Sequence, residues 1–235
     1  MSKKALLLTF AICAVLALIS VFAFDRAIAL GVHNSGIERA AIVVRLREFF
    51  DIFTGRGVAL LGSHVGLGQL MLGAIFIVLG LLLALVRRAR YHGRALMFAG
   101  AVQLATIEAA WWIKDYFGRL RPHQLIERND WTHIWFAGGN SFPSGHNAFF
   151  WGLFLPLAYL YPRWRIPLLI IPVFIAFARI DENYHFLSDV LGAIALAALI
   201  TLIAATLFGR WIKPAAAQKT WNPRNVPISR TRRAS

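Results

Sequence analysis

The sequence predicts an all-α polytopic membrane protein: six transmembrane helices in a bundle, with both termini cytoplasmic. Three observations predict it. The first is composition, since 58% of the 235 residues are hydrophobic and only 15% are charged, a balance outside that of soluble domains. The second is patterning, since the apolar residues gather into six stretches, at 5–24, 67–86, 95–113, 148–161, 166–178 and 190–209. The third is charge. Residues 1–4, 87–94, 162–165 and the tail from 210 hold 15 basic residues and no acidic ones, whereas the other ten basic residues share their segments with all 11 acidic ones. Cytoplasmic connections are enriched in Lys and Arg. The alternation therefore places both termini inside and accounts for the formal charge of +14 without a nucleic-acid partner, with anionic headgroups as a further attraction.

Taken in order, the first stretch is an uncleaved span. Ala27-Ile28-Ala29 resembles a signal-peptide cleavage site, but a 20-residue apolar run exceeds the roughly 7–15 residues of a signal core. Residues 25–66 form an outer segment of mixed charge, in which Ile37–Phe53 reads as a helix lying at the interface. The second, third and sixth stretches have 19 or 20 residues, enough to span. The fourth and fifth are shorter. Fourteen helical residues rise about 21 Å against a hydrocarbon core of about 30 Å. A re-entrant hairpin would bury Pro162-Arg163-Trp164-Arg165 at the membrane centre at high cost, so both stretches cross and draw their outer ends below the lipid surface. Trp111, Trp112, Trp131, Trp135 and Trp151 fall near outer ends and read as an aromatic belt. The whole of 1–235 reads as one membrane-embedded domain without internal repeats, its motif-bearing core at about 60–209 and its basic tail at 210–235. A single cysteine, Cys13, excludes an intramolecular disulfide and a Cys-based metal site.

The chemistry lies in the second and third outer segments, 114–147 and 179–189. Lys114 is the one lysine outside the two tails and follows Trp111-Trp112-Ile113; Arg121-Pro122 comes seven residues after it. Pro143-Ser144-Gly145-His146 precedes the fourth stretch, and Arg179, His185 and Asp189 lie between the fifth and sixth. Lys114, Arg121 and Arg179 bring three cations to one side of the membrane, with Arg119 as a fourth candidate. Ser144 and Gly145 stand at a helix start, where backbone N–H groups can point at an anion, and glycine lets the anion approach closely. Cations plus helix-terminal amides make a cradle for phosphate. His185 and Asp189 are four apart and share a helix face, so the carboxylate can hold Nδ1–H and leave Nε2 free as a nucleophile. His146 is a second imidazole suited to proton transfer. His33, His64, His92, His123 and His133 read as interfacial or loop residues, and Glu108, inside the third stretch, as a structural partner for a neighbouring span or a water.

These three groups resemble the motifs of the type 2 phosphatidic acid phosphatase superfamily, in its bacterial membrane-embedded branch. They read K-DYFGRL-RP, PSGH and AR-IDENY-H-FLS-D, in the family's order and on one side of the membrane by charge alone. The family's serine before the third-motif arginine is Ala178 here, so no ligand role passes to that position. The resemblance implies that His185 attacks phosphorus to form a phosphohistidine and that Asp189 orients it. It further implies that His146 protonates the leaving oxygen and then activates water, and that Lys114, Arg121, Ser144, Gly145 and Arg179 bind the phosphate. It implies no metal and no other cofactor, and cationic neighbours would repel an ion.

The expected function is hydrolysis of a lipid phosphomonoester or diphosphate at the outer face of a bacterial inner membrane. Phosphatidylglycerol phosphate, phosphatidic acid, undecaprenyl diphosphate and a lipid A phosphate are the candidate substrates. Sunken span ends favour a lipid over a soluble substrate, and the only partners expected are that lipid and the surrounding membrane. A phosphotransferase would use the same site with an acceptor alcohol in place of water. A vanadate-dependent haloperoxidase is disfavoured by the membrane embedding. A transporter would hold its ionisable residues near the bilayer midplane, not at span ends.

Overall fold

The computed structural model describes residues 1–35, 41–54, 67–209 and 211–212. Every regular element among them is helical: α1 (Lys3–Ala23), α2 (Asp25–Asn34), α3 (Ala41–Phe53), α4 (Leu67–Leu85), α5 (Arg90–Phe117), α6 (Pro122–Arg128), α7 (Gly145–Leu160), a 3₁₀ turn at Pro162–Trp164, α8 (Arg165–Asp181) and α9 (Leu187–Leu207). The six apolar stretches fall on α1, α4, α5, α7, α8 and α9. Three segments are long and apolar enough to cross a membrane: α1, the stretch Arg90–Arg128 that contains α5, and α9. The basic tail beyond residue 212, with Lys213 and Lys219, and His64 lie outside the described residues.

The helix ends follow local chemistry more than the limits of the apolar runs. α5 is longer than the stretch that announces it and stops at Gly118, whose positive φ of 48° suits a residue without Cβ. α7 begins at Gly145, behind Ser144 as N-cap. The interfacial helix starts at Ala41, residues 37–40 being outside the described set. Two short outer helices, α2 and α6, carry too little hydrophobic periodicity to be read from sequence; α6 opens with Pro122, a residue preformed for a first helical turn.

α7 is the central helix, with 14 of its 16 residues buried; it packs against α5, α8 and α9, while α1 lies on α9 and α4 on α5. The α4–α5 contact rests on glycine. A Cβ on Gly100 would stand 2.5 Å from the Gly73 carbonyl oxygen, and one on Gly93 would stand 2.5 Å from that of Gly80. Only bare backbone permits this approach, the small-residue packing of membrane helices. Large apolar side chains on α1, α4 and α8, such as Leu18, Leu82 and Ile170, are exposed, as expected of surfaces facing hydrocarbon rather than water. A groove of about 630 Å³ between α1, α5 and α9 is lined by Phe10, Ala14, Phe117 and Leu199 among others, and none of the candidate catalytic or phosphate-binding residues lines it.

The helices alternate in direction, so their ends sort into two sets. At one end Tyr91 Oη donates to the Leu160 carbonyl at 3.1 Å, and Arg94 Nη1 donates to the Trp211 carbonyl at 3.4 Å. At the other end lie the three motif segments.

Candidate active site

Asp189, on the first turn of α9, is the most heavily tied residue. Its Oδ2 accepts from Ser141 Oγ at 2.5 Å and from its own helix start, Phe186 N–H, at 2.9 Å. Its Oδ1 accepts from Arg119 Nη1 at 2.5 Å. Its carbonyl accepts from Ser144 N–H at 3.0 Å, which joins the PSGH loop to the third motif. His185 Nδ1 lies 3.5 Å from Asp189 Oδ2. That is an ion-pair distance, longer than a hydrogen bond, and Nδ1 has no hydrogen-bond partner among the described residues. The expected pairing is therefore present in proximity and not closed. Burial pushes the His185 imidazole below its ordinary pKa, with the Lys114 and Arg121 cations acting the same way, while Asp189 opposes them. The ring is thereby held neutral, the form a nucleophile needs.

A second knot forms at the start of α7. His146, 1% exposed, presents Nε2 to Asp51 Oδ1 at 3.1 Å. The same Asp51 oxygen accepts from Arg179 Nη2. Arg179 also donates Nη1 to Glu182 Oε2 at 3.0 Å. Asp51 belongs to α3, which is fixed by Phe50 against Phe150 of α7 and Phe174 of α8, with ring centroids 5.8 and 6.0 Å apart. An anion thus sits between an arginine and the presumed acid of the site. No sequence signal marked Asp51; the aromatic pair Phe49-Phe50 beside it was the available clue to an inward face.

The remaining cations divide. Lys114 is buried under the loop it supports, donating Nζ to the Asn140 carbonyl at 2.7 Å and to the Ser141 carbonyl at 3.3 Å. A Cβ at Gly145 would stand 3.5 Å from Lys114 Cε, so the first and second motifs touch. Arg121 donates Nε to Asn140 Oδ1 at 3.0 Å and lies over Tyr184. Arg119 corrects an expectation. Named from sequence as a fourth candidate cation, it is committed to protein groups: it is 1% exposed, sandwiched between the Trp135 and Phe186 rings at 4.3 and 4.1 Å, and bound to Asp25, Ser188 and Asp189.

Other expectations are also revised. The Ser144 amide donates to the Asp189 carbonyl, and Ser144 Oγ accepts from Asn147 Nδ2 at 3.0 Å. Glu108 takes the Trp112 indole N–H of its own helix at 3.0 Å, not a neighbouring span. The five tryptophans also make protein contacts: Trp151 is buried, Trp135 covers Arg119, Trp131 packs on Phe186 under Arg26, and Trp112 is strongly exposed. His123 is the second residue of α6, not a loop residue, and meets the Asn183 carbonyl at 3.2 Å.

Comparison with known proteins gives a consistent picture. Two lipid A 1-phosphatases are similar over 101 residues. The one from Rhizobium johnstonii is 30% identical, across 42% of this chain and 41% of that protein; the one from Rhizobium etli is 28% identical, across 42% and 44%. The matched region thus spans about two-fifths of either relative. Among solved structures, a transmembrane PAP2 type phosphatidylglycerolphosphate phosphatase from Bacillus subtilis has the same fold, with a TM-score of 0.50 at 21% identity over 90% of this chain and 98% of that one. The family model of the PAP2 superfamily matches residues 91–213, which takes in all three motif segments and just over half of the sequence. With fold, motifs and family model in agreement, the chain belongs to the PAP2 superfamily.

Proposed function

We propose that the protein is a lipid phosphate phosphatase acting through a phosphohistidine, at the outer end of a six-span bundle in a bacterial inner membrane. The observation that carries this reading is the Asp51 carboxylate, an anion held by Arg179 and facing His146 Nε2 at the end of the bundle that also holds His185 and Asp189. A substrate phosphate takes the place of that carboxylate. Arg179, Arg121 and the helix-start amide of Gly145 hold its oxygens, and Lys114 keeps the Asn140–Ser141 backbone in place beside them.

The steps follow from the atoms present. The lone pair of His185 Nε2 attacks phosphorus, the ester P–O bond breaks, and the leaving oxygen takes its proton from His146. The proton on His185 Nδ1 stays there and faces Asp189, which closes its 3.5 Å separation as the ring becomes cationic. Water then gives a proton to His146 and attacks phosphorus, the N–P bond breaks, and its electron pair returns to Nε2. Side chains and water supply every group used.

The names of the Rhizobium relatives point to a phosphate on a lipid A-like glycolipid, so lipid A 1-phosphate leads the substrate panel. Phosphatidic acid, phosphatidylglycerol phosphate and undecaprenyl diphosphate complete it. The purified protein in detergent, with EDTA present, is expected to release inorganic phosphate from at least one of the four. His185→Ala is expected to abolish release, and full activity in that variant would sink the mechanism.

A further inference from the structure

The buried cluster behind the site holds more charge than the proposed steps use. Asp25, the first residue of α2, is 3% exposed, and Asp189 is fully buried. Arg119 divides its guanidinium between them, with Nη2 donating to Asp25 Oδ2 at 2.7 Å and Nη1 to Asp189 Oδ1 at 2.5 Å. Two carboxylates share one cation, so the trio carries a surplus negative charge where water is excluded. Burial of such a surplus is costly, and the fold compensates with donors. Asp25 also accepts from Ser20 Oγ at 2.6 Å, from Ser188 N–H at 3.1 Å and from Ser188 Oγ. Ser188 in turn accepts from Arg119 Nη1 at 2.6 Å.

The surplus faces a group that becomes charged only during reaction. His185 Nδ1, without a hydrogen-bond partner among the described residues, stands 3.5 Å from Asp189 Oδ2, and the ring turns cationic when Nε2 bonds to phosphorus. We infer that Asp25 is a positioning residue for the phosphatase reaction: by occupying half of the Arg119 guanidinium, it leaves Asp189 with uncompensated negative charge for the imidazolium that forms at His185. Without the Asp25 carboxylate, Arg119 neutralises Asp189 alone. The effect belongs to the transition state and not to substrate binding, so it acts on kcat and spares KM. This role rests on the phosphohistidine reading above. It extends the working site to the first residues after α1, upstream of every motif.

The test uses the full-length protein in detergent and the fastest of the four panel lipids. Asp25→Asn keeps the shape and one accepting oxygen while removing the charge, its amide nitrogen replacing the other acceptor with a donor. The expected result is a fall in kcat of about tenfold or more, with KM within about twofold and the thermal unfolding midpoint retained, since charge stabilisation realised only in the transition state is lost. Wild-type kcat in a folded Asp25→Asn protein overturns the inference while leaving the phosphohistidine reading intact. Phosphate release by His185→Ala overturns both. If Asp25→Asn fails to fold, Ser188→Ala, which removes the hydroxyl bridging Arg119 and Asp25 and leaves the backbone N–H link to Asp25 in place, is read in its place: a lower kcat at unchanged KM supports the role, and wild-type kcat refutes it.

Discussion

Asp189 shows how a single residue in this protein is fixed by partners from three parts of the chain. Ser141, Phe186 N–H and Arg119 take its carboxylate, and Ser144 takes its carbonyl. The i, i+4 spacing to His185 was legible, because it needs only a helical turn. Ser141 and Arg119 were not, because nothing in their local sequence says which way they face. Arg119 in particular looks like one more cation in a basic motif, yet two aromatic faces and two carboxylates make its burial tolerable. His185 gives a prediction at this scale. Burial holds its pKa in the fold below the ordinary 6.5, so in acid the unfolded chain takes up a proton there that the folded chain does not. Stability then falls as pH drops below about 6.5. The unfolding midpoint of the detergent-solubilised protein is expected to fall between pH 7.5 and 5.5, and His185→Gln to show a smaller fall; an identical slope in the variant would refute it.

At the scale of elements, α3 is the piece whose role changed most. Its sequence reads as an interfacial helix, and exposed Leu46, Phe49 and Ile52 suit that reading. Its other face inserts Phe50 between α7 and α8 and delivers Asp51 to Arg179 and His146. In the proposed mechanism Asp51 and a phosphate compete for the same donors. Asp51→Asn is therefore expected to tighten inhibition by inorganic phosphate by about tenfold, equivalent to about 1.4 kcal/mol; an unchanged inhibition constant would show that the carboxylate and phosphate occupy different places. The α4–α5 pair was half legible. Gly73 and Gly80, like Gly93 and Gly100, are seven residues apart, which places each pair on one helix face. Their meeting as 73 with 100 and 80 with 93 depends on the antiparallel register of the two helices.

For the molecule as a whole, separation of charge between two ends is the organising feature. Lys3, Arg87, Arg94 and Arg163 belong to one end, and Asp25, Asp51, His146, His185 and Asp189 to the other. With the first end cytoplasmic, a membrane-impermeant thiol reagent applied to intact cells is expected to label Asp130→Cys and spare Arg88→Cys, both in a Cys13→Ala background; the reverse pattern would invert the proposed topology. By itself the sequence determined the all-α class, the six helical stretches, the two sets of ends and the three motif segments. Each of these follows from hydrophobic run length, charge sorting or spacing along one helix, all of which are local. Only the tertiary structure decided that Arg119 leaves the phosphate cradle to bind Asp25 and Asp189, that Ser144 N–H is spent on Asp189, and that Asp51 rests on Arg179 and His146. Those outcomes depend on which groups meet across 45 to 128 positions of sequence, and the balance of burial and pairing that selects them exists only once the helices have packed.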